Sequence, residues 1–140
     1  MKKPVIDAAA GSKLAKYLVE RGLAGVGPLS SAESLAQEYL IDASYESHED
    51  RVDALIRWET RKNFTAGFVT GLGGVISLPV TIPSALAASW LIQARMAGGI
   101  ASIYGHDLDS PRTRTLVLLS LAGDVARDAM KELGIPVGNR

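Results

Sequence analysis

The chain has 140 residues, 15 basic against 15 acidic side chains, no cysteine and 47% hydrophobic residues. That length supports one domain with its own hydrophobic core, without metal or disulfide support. The cancelled charge argues against a nucleic-acid partner, which needs a concentrated basic face, and the missing cysteines exclude disulfides, a thiolate nucleophile and cysteine-based zinc sites.

The charge balance is local as well as global, with 9 basic and 10 acidic residues up to position 63 and 6 and 5 after it. Met1-Lys2-Lys3-Pro4-Val5-Ile6-Asp7 reaches an acid before any apolar run of signal-peptide length, so a cytoplasmic protein is expected. A mean hydropathy of +0.14 lies above the soluble habit and below that of a multi-span membrane protein.

The first predicted helix covers 12–24, with Leu14, Leu18 and Val19 at helical spacing and Gly22, Gly25, Gly27 and Pro28 ending it. A second begins at a Ser30 cap with Glu33 reaching back, and Ala32, Leu35, Ala36, Tyr39, Leu40 and Ala43 form its stripe. Ser47 and Asp50 make another capping box for a third helix, with Val52, Leu55 and Ile56 inward and Arg57, Glu59, Arg61 and Lys62 on its charged side.

From Phe64 the charge vanishes, and up to His106 the only formally charged residue is Arg95. This stretch, Phe64 to Gly105, reads as a helical hairpin. In its first arm Gly67 and Gly71 share one helical face, and Gly73 and Gly74 follow; glycines at this spacing let another backbone come close. Pro79 and Pro83 cannot continue a helix and mark the bend. The second arm runs from Ser84 to Gly105 with Ala87, Ala94, Gly98, Ala101 and Gly105 along one side, and the two arms are expected to pack together. The final helix is capped by Ser110, starts on Pro111 and stops at Gly134, with Leu118, Leu121, Ala122, Val125, Ala129 and Leu133 as its buried stripe.

So apolar a hairpin can be buried in the core of a soluble helical bundle or against lipid. A conventional bilayer span is disfavoured. The first arm has 15 residues before the bend, short of the ~20 a helical span needs. Arg95 sits near the middle of the second arm, where a charge costs about 2.5 to 3.5 kcal/mol on insertion. Its guanidinium must reach water, pair with an acid such as Asp124, or meet a lipid phosphate or a partner's carboxylate. Arg95, Phe64, Phe68, Leu72 and Trp90 are the candidate lipid or partner contacts.

Catalytic and cofactor signatures are sparse. Gly71, Gly73 and Gly74 lack the Gly-Lys-Ser/Thr ending of a phosphate loop, and Ile76 stands where a dinucleotide fingerprint needs glycine. Gly74, Ser77 and Pro79 do not make a hydrolase elbow. Neither His48 nor His106 has a second histidine at ligand spacing. The remaining enzymatic candidate is His106 with Asp107, adjacent in a turn, and the expectation is a non-catalytic protein without cofactor or metal.

The run Gly67-Phe68-Val69-Thr70-Gly71-Leu72-Gly73-Gly74 precedes Leu78-Pro79-Val80-Thr81-Ile82-Pro83, Gln93-Ala94-Arg95-Met96, Ile100-Ala101, Tyr104-Gly105-His106-Asp107 and Arg114-Thr115-Leu116. In this order and spacing, over about 48–140, the pieces resemble the EcsC family. The resemblance implies a membrane-linked setting, because the member that names the family is encoded beside an ABC transporter. One branch carries an acid near the position of Thr81, so a role resting on that carboxylate is not carried over. Relatives also extend past Arg140 with a second glycine-rich apolar stretch, which makes this chain read as a short member or an N-terminal fragment.

The expected architecture is a single all-α domain of about five helices around the central hairpin. The expected function is that of an accessory protein on the inner face of the membrane, touching lipid or a membrane protein such as an ABC transporter. The alternative is a soluble helical interaction module that forms homo-oligomers.

Overall fold

The computed structural model describes the backbone of residues 8–63 and 84–132, and the side chains of residues 13–63 and 86–123. Five α-helices account for most of it: α1 (Ala8–Ala24), α2 (Ala32–Leu40), α3 (His48–Asn63), α4 (Ser84–Ile103) and α5 (Pro111–Glu132). The one β-type pairing among the described residues is an isolated bridge between Val26 and Leu29. The protein is a single all-α domain.

Helix α4 is apolar on nearly every side, and a helix of that kind belongs at the centre of a bundle. It packs against α1, α2, α3 and α5, with Ala87, Ala88, Leu91 and Ile92 fully buried. Around it lie Leu14, Leu18 and Val19 of α1, Leu35 and Ala36 of α2, Leu55 of α3 and Val117 and Leu121 of α5. Among the described residues no helix is long and apolar enough to cross a membrane.

The small residues of α4 serve α1 and α2. A Cβ on Gly98 would strike Leu23 and lie 3.0 Å from the Ala32 Cβ, while one on Gly22 of α1 would lie 3.0 Å from the Leu91 carbonyl oxygen. Backbones at this distance exclude larger side chains. Gly105 works differently from the rest of the predicted strip, since nothing lies within 4 Å of a Cβ there. Its φ of +90° ends α4 in a Schellman turn, with Gly105 N–H donating to Ser102 O and His106 N–H to Ala101 O, each at 3.0 Å.

Four local expectations shift. Ser31, not Ser30, caps α2: its hydroxyl accepts the Ser34 amide at 3.1 Å. The same helix stops at Leu40, leaving Ala43 exposed in the following turn. In α3 the Ser47 cap accepts the Asp50 amide as expected, but Ile56 is 42% exposed and the inward line continues from Leu55 to Glu59 and Asn63. In α5 the described part of the buried line is Thr113, Val117 and Leu121, whereas Ala122 is exposed. The first hairpin arm, its bend and the positions of Val125, Ala129 and Leu133 lie outside the described residues or side chains.

Gly123 lies inside α5 with open space where its Cβ would stand. Gly123→Ala is therefore expected to stabilise the chain by ~0.5–1 kcal/mol in urea unfolding, because alanine restricts the unfolded chain and meets no neighbour.

Candidate functional site

The site grows from the one charge in the apolar second arm. Arg95 projects from α4 into the space between α3 and the turn before α2, and is only 4% exposed. Three of its N–H groups are taken by the chain itself: Nε donates to the Ser30 carbonyl at 2.7 Å, Nη2 to the Ser30 hydroxyl at 3.0 Å, and Nη1 to Glu59 Oε1 at 2.8 Å. This explains the displaced cap of α2. Ser30 is committed by both its carbonyl and its hydroxyl to Arg95, so the next serine caps the helix.

Among the described residues the acid that neutralises Arg95 is Glu59; the side chain of Asp124, the partner expected from the sequence, lies outside them. Glu59 is 1% exposed and accepts from two further groups, Asn63 Nδ2 on Oε1 at 2.9 Å and Lys62 Nζ on Oε2 at 3.2 Å. Burial alone would push this carboxyl up, but the hydrogen bonds from Arg95, Asn63 and Lys62 outweigh it and hold the pKa below the ordinary 4.5. Close by, burial and the negative charge of Glu59 raise the Tyr39 phenol to about 12. Every buried side-chain nitrogen and oxygen among the described residues has a partner.

A cavity of about 290 Å³ opens beside this network, lined by Ser30, Glu38, Glu59, Lys62, Asn63 and Arg95 together with Pro28 and Leu29. Its members come from the turn after α1, from α2, from the C-terminal end of α3 and from α4. The sequence alone placed Glu59 on the charged outer side of α3 and Ser30 at the cap of α2, and did not mark Asn63. A signal was present: stepping by four from Leu55 lands on Glu59 and then Asn63.

The other candidates scatter. Trp90 is a core residue, 2% exposed, so its ring packs inside this chain and is not a surface contact for lipid or a partner. His106 and Asp107 are both exposed, and Asp107 Oδ1 accepts the Asp109 amide at 3.0 Å. His48, at the start of α3, sits edge-on to Tyr104 with ring centroids 5.7 Å apart and has Arg51 Nη1 3.5 Å from Nδ1. Phe64, Phe68, Leu72, Gly67, Gly71, Gly73, Gly74, Pro79 and Pro83 lie outside the described residues. Among the described residues no group of acids and histidines could hold a metal ion.

No curated protein and no solved structure matches the chain. A family model described as the EcsC protein family does, over residues 12–133. The match begins well before position 48 and takes in most of α1, the turn that supplies Ser30 to Arg95, and α2. With this match covering most of its length, the chain belongs to the EcsC protein family.

Proposed function

We propose that this chain is a non-catalytic accessory protein that attaches peripherally to the inner face of a membrane through the uncharged sequence between Asn63 and Ser84. The observation that carries this reading is the internal neutralisation of Arg95 by Glu59 and Ser30. The helical body satisfies the only charge between residues 64 and 105 with its own groups. Residues 64–83, with Phe64, Phe68 and Leu72, are then left as a wholly uncharged sequence joined at both ends to folded helices. Such a sequence suits contact with acyl chains or with the apolar surface of a membrane protein. An ABC transporter subunit is the partner that EcsC membership suggests.

Flotation of the purified chain with phospholipid vesicles tests the proposal. Co-flotation is expected, with Leu72→Asp weakening it by about tenfold or more, since a charge is costly in the acyl region. A chain that stays wholly in the vesicle-free fraction ends the reading. A soluble interaction module has one observation in its favour, the exposure of Leu116 (56%) and Leu119 (62%) on the outer side of α5. Sedimentation equilibrium distinguishes it: a dimer that Leu116→Ser with Leu119→Ser converts to monomer supports self-association through α5.

A further inference from the structure

The cavity beside Arg95 has a chemistry of its own. Among the described residues its wall carries two cations, Arg95 and Lys62, and two carboxylates, Glu59 and Glu38. These four charges cancel, which disfavours a simple anion or cation and favours a ligand that carries both signs. The donors and the spare acceptor are distinct groups. The Ser30 hydroxyl accepts from Arg95 and keeps its own hydrogen to donate. Arg95 has five N–H groups, of which three are engaged within the chain. The Lys62 side chain is 65% exposed, and among the described residues its ammonium pairs with the second oxygen of Glu59 alone. Together these form a donor set matched to phosphate oxygens. Glu38, exposed at the cavity wall, makes no hydrogen bond or ion pair with another described residue, so its carboxylate is available to an ammonium group.

A space of about 290 Å³ equals roughly ten waters at ~30 Å³ each, and lies near the lower end of the range for ligand pockets. That is headgroup size. From this charge pattern and volume we propose that the cavity binds a phosphoethanolamine group, with phosphate on Ser30, Arg95 and Lys62 and the primary ammonium on Glu38. The proposal deepens the membrane reading and rests on it only for the source of the group, a phosphatidylethanolamine headgroup in place of the free compound. The C-terminal end of α3 supports that source. Asn63 and Lys62 lie at the cavity, and the uncharged sequence starts at the next residue, Phe64.

Calorimetric titration with glycerophosphoethanolamine tests the site, beside inorganic phosphate and ethanolamine given separately. Saturable binding of the zwitterion is expected, with each half binding at least about tenfold more weakly. Lys62→Met and Glu38→Gln, both at exposed positions, are each expected to weaken it by about three- to tenfold. Absence of saturable binding, equal binding of phosphate alone, or affinity unchanged in both variants overturns the site. The lipid arm compares vesicles containing phosphatidylethanolamine with vesicles containing phosphatidylcholine, whose quaternary ammonium cannot donate a hydrogen bond to Glu38. A preference for the former that Lys62→Met removes supports the lipid source. Titration binding with equal flotation on both vesicles overturns the lipid source and assigns the site to the free compound. Leu72→Asp separates this proposal from membrane attachment: it is expected to reduce flotation and leave the titration unchanged.

Discussion

Arg95→Leu lowers the unfolding free energy by about 3–5 kcal/mol in urea denaturation, the usual consequence of removing one partner of a buried ion pair. The cost arises on the partner. Glu59, 1% exposed, keeps Asn63 and Lys62 but loses the guanidinium that offsets its burial, and Ser30 loses both donors that hold its turn against α4. Adding Glu59→Gln to Arg95→Leu should restore about half of the loss, because a neutral amide still accepts from Asn63 without leaving a charge in the core. If the double variant is no more stable than the single one, the uncompensated charge is not the cause.

The pH dependence follows from the same residue. The folded pKa of Glu59 lies below its unfolded value of 4.5, so the unfolded chain binds the proton more readily. The stabilisation it contributes is complete above the unfolded value and is lost as pH falls below 4.5 through the folded pKa. In Arg95→Leu the depression shrinks, because its main opposing hydrogen bond is gone and burial favours the protonated acid. The difference in stability between the native chain and the variant should therefore narrow as the solution is acidified from pH 6 toward pH 3. A constant difference across that range counts against Glu59 as the titrating group.

Gly25→Ala is expected to cost about 2–5 kcal/mol, the second large effect. Two costs add: a left-handed residue with a side chain is unfavourable by ~1–2 kcal/mol, and overfilling a packed site costs ~1–3 kcal/mol. Gly25 has φ +92°, and a Cβ there would lie 2.8 Å from the Leu29 carbonyl oxygen and 2.9 Å from both the Ser30 carbonyl carbon and the Ser31 nitrogen. These are backbone atoms and cannot rotate aside. They are also the atoms that present Ser30 to Arg95 and Ser31 to the start of α2, so the substitution acts on the buried network as well as on the turn. Differential scanning calorimetry of Gly25→Ala beside Gly123→Ala gives the contrast directly, with opposite signs expected for the same chemical change.

How much of this was legible beforehand depends on the range of the cause. Leu14, Leu18 and Val19, the stripe Ala32, Leu35, Ala36 and Tyr39, and the Ser47 cap follow from local periodicity and capping chemistry, and the structure has them buried or capped as expected. The anomalous Arg95 was also visible, since one charge in an apolar run stands out by composition alone. Its partner was not. Asp124 and Glu59 are equally available to a reader of the chain, and choosing between them requires knowing which face of α3 turns toward α4.

The sequence by itself determined the all-α class, the helix borders within a few residues, the central place of the apolar second arm and the family, because these depend on short-range spacing and on motif order. Only the tertiary structure decided that Ser30 serves Arg95 instead of capping α2, that Trp90 is core, and that the small residues of α4 receive α1 and α2. It also decided that Glu38, Glu59, Lys62 and Arg95 wall one cavity. Those outcomes depend on helix rotation and on contacts between residues up to 65 positions apart. Both are set by the joint packing of four helices on α4, a condition that no single segment encodes.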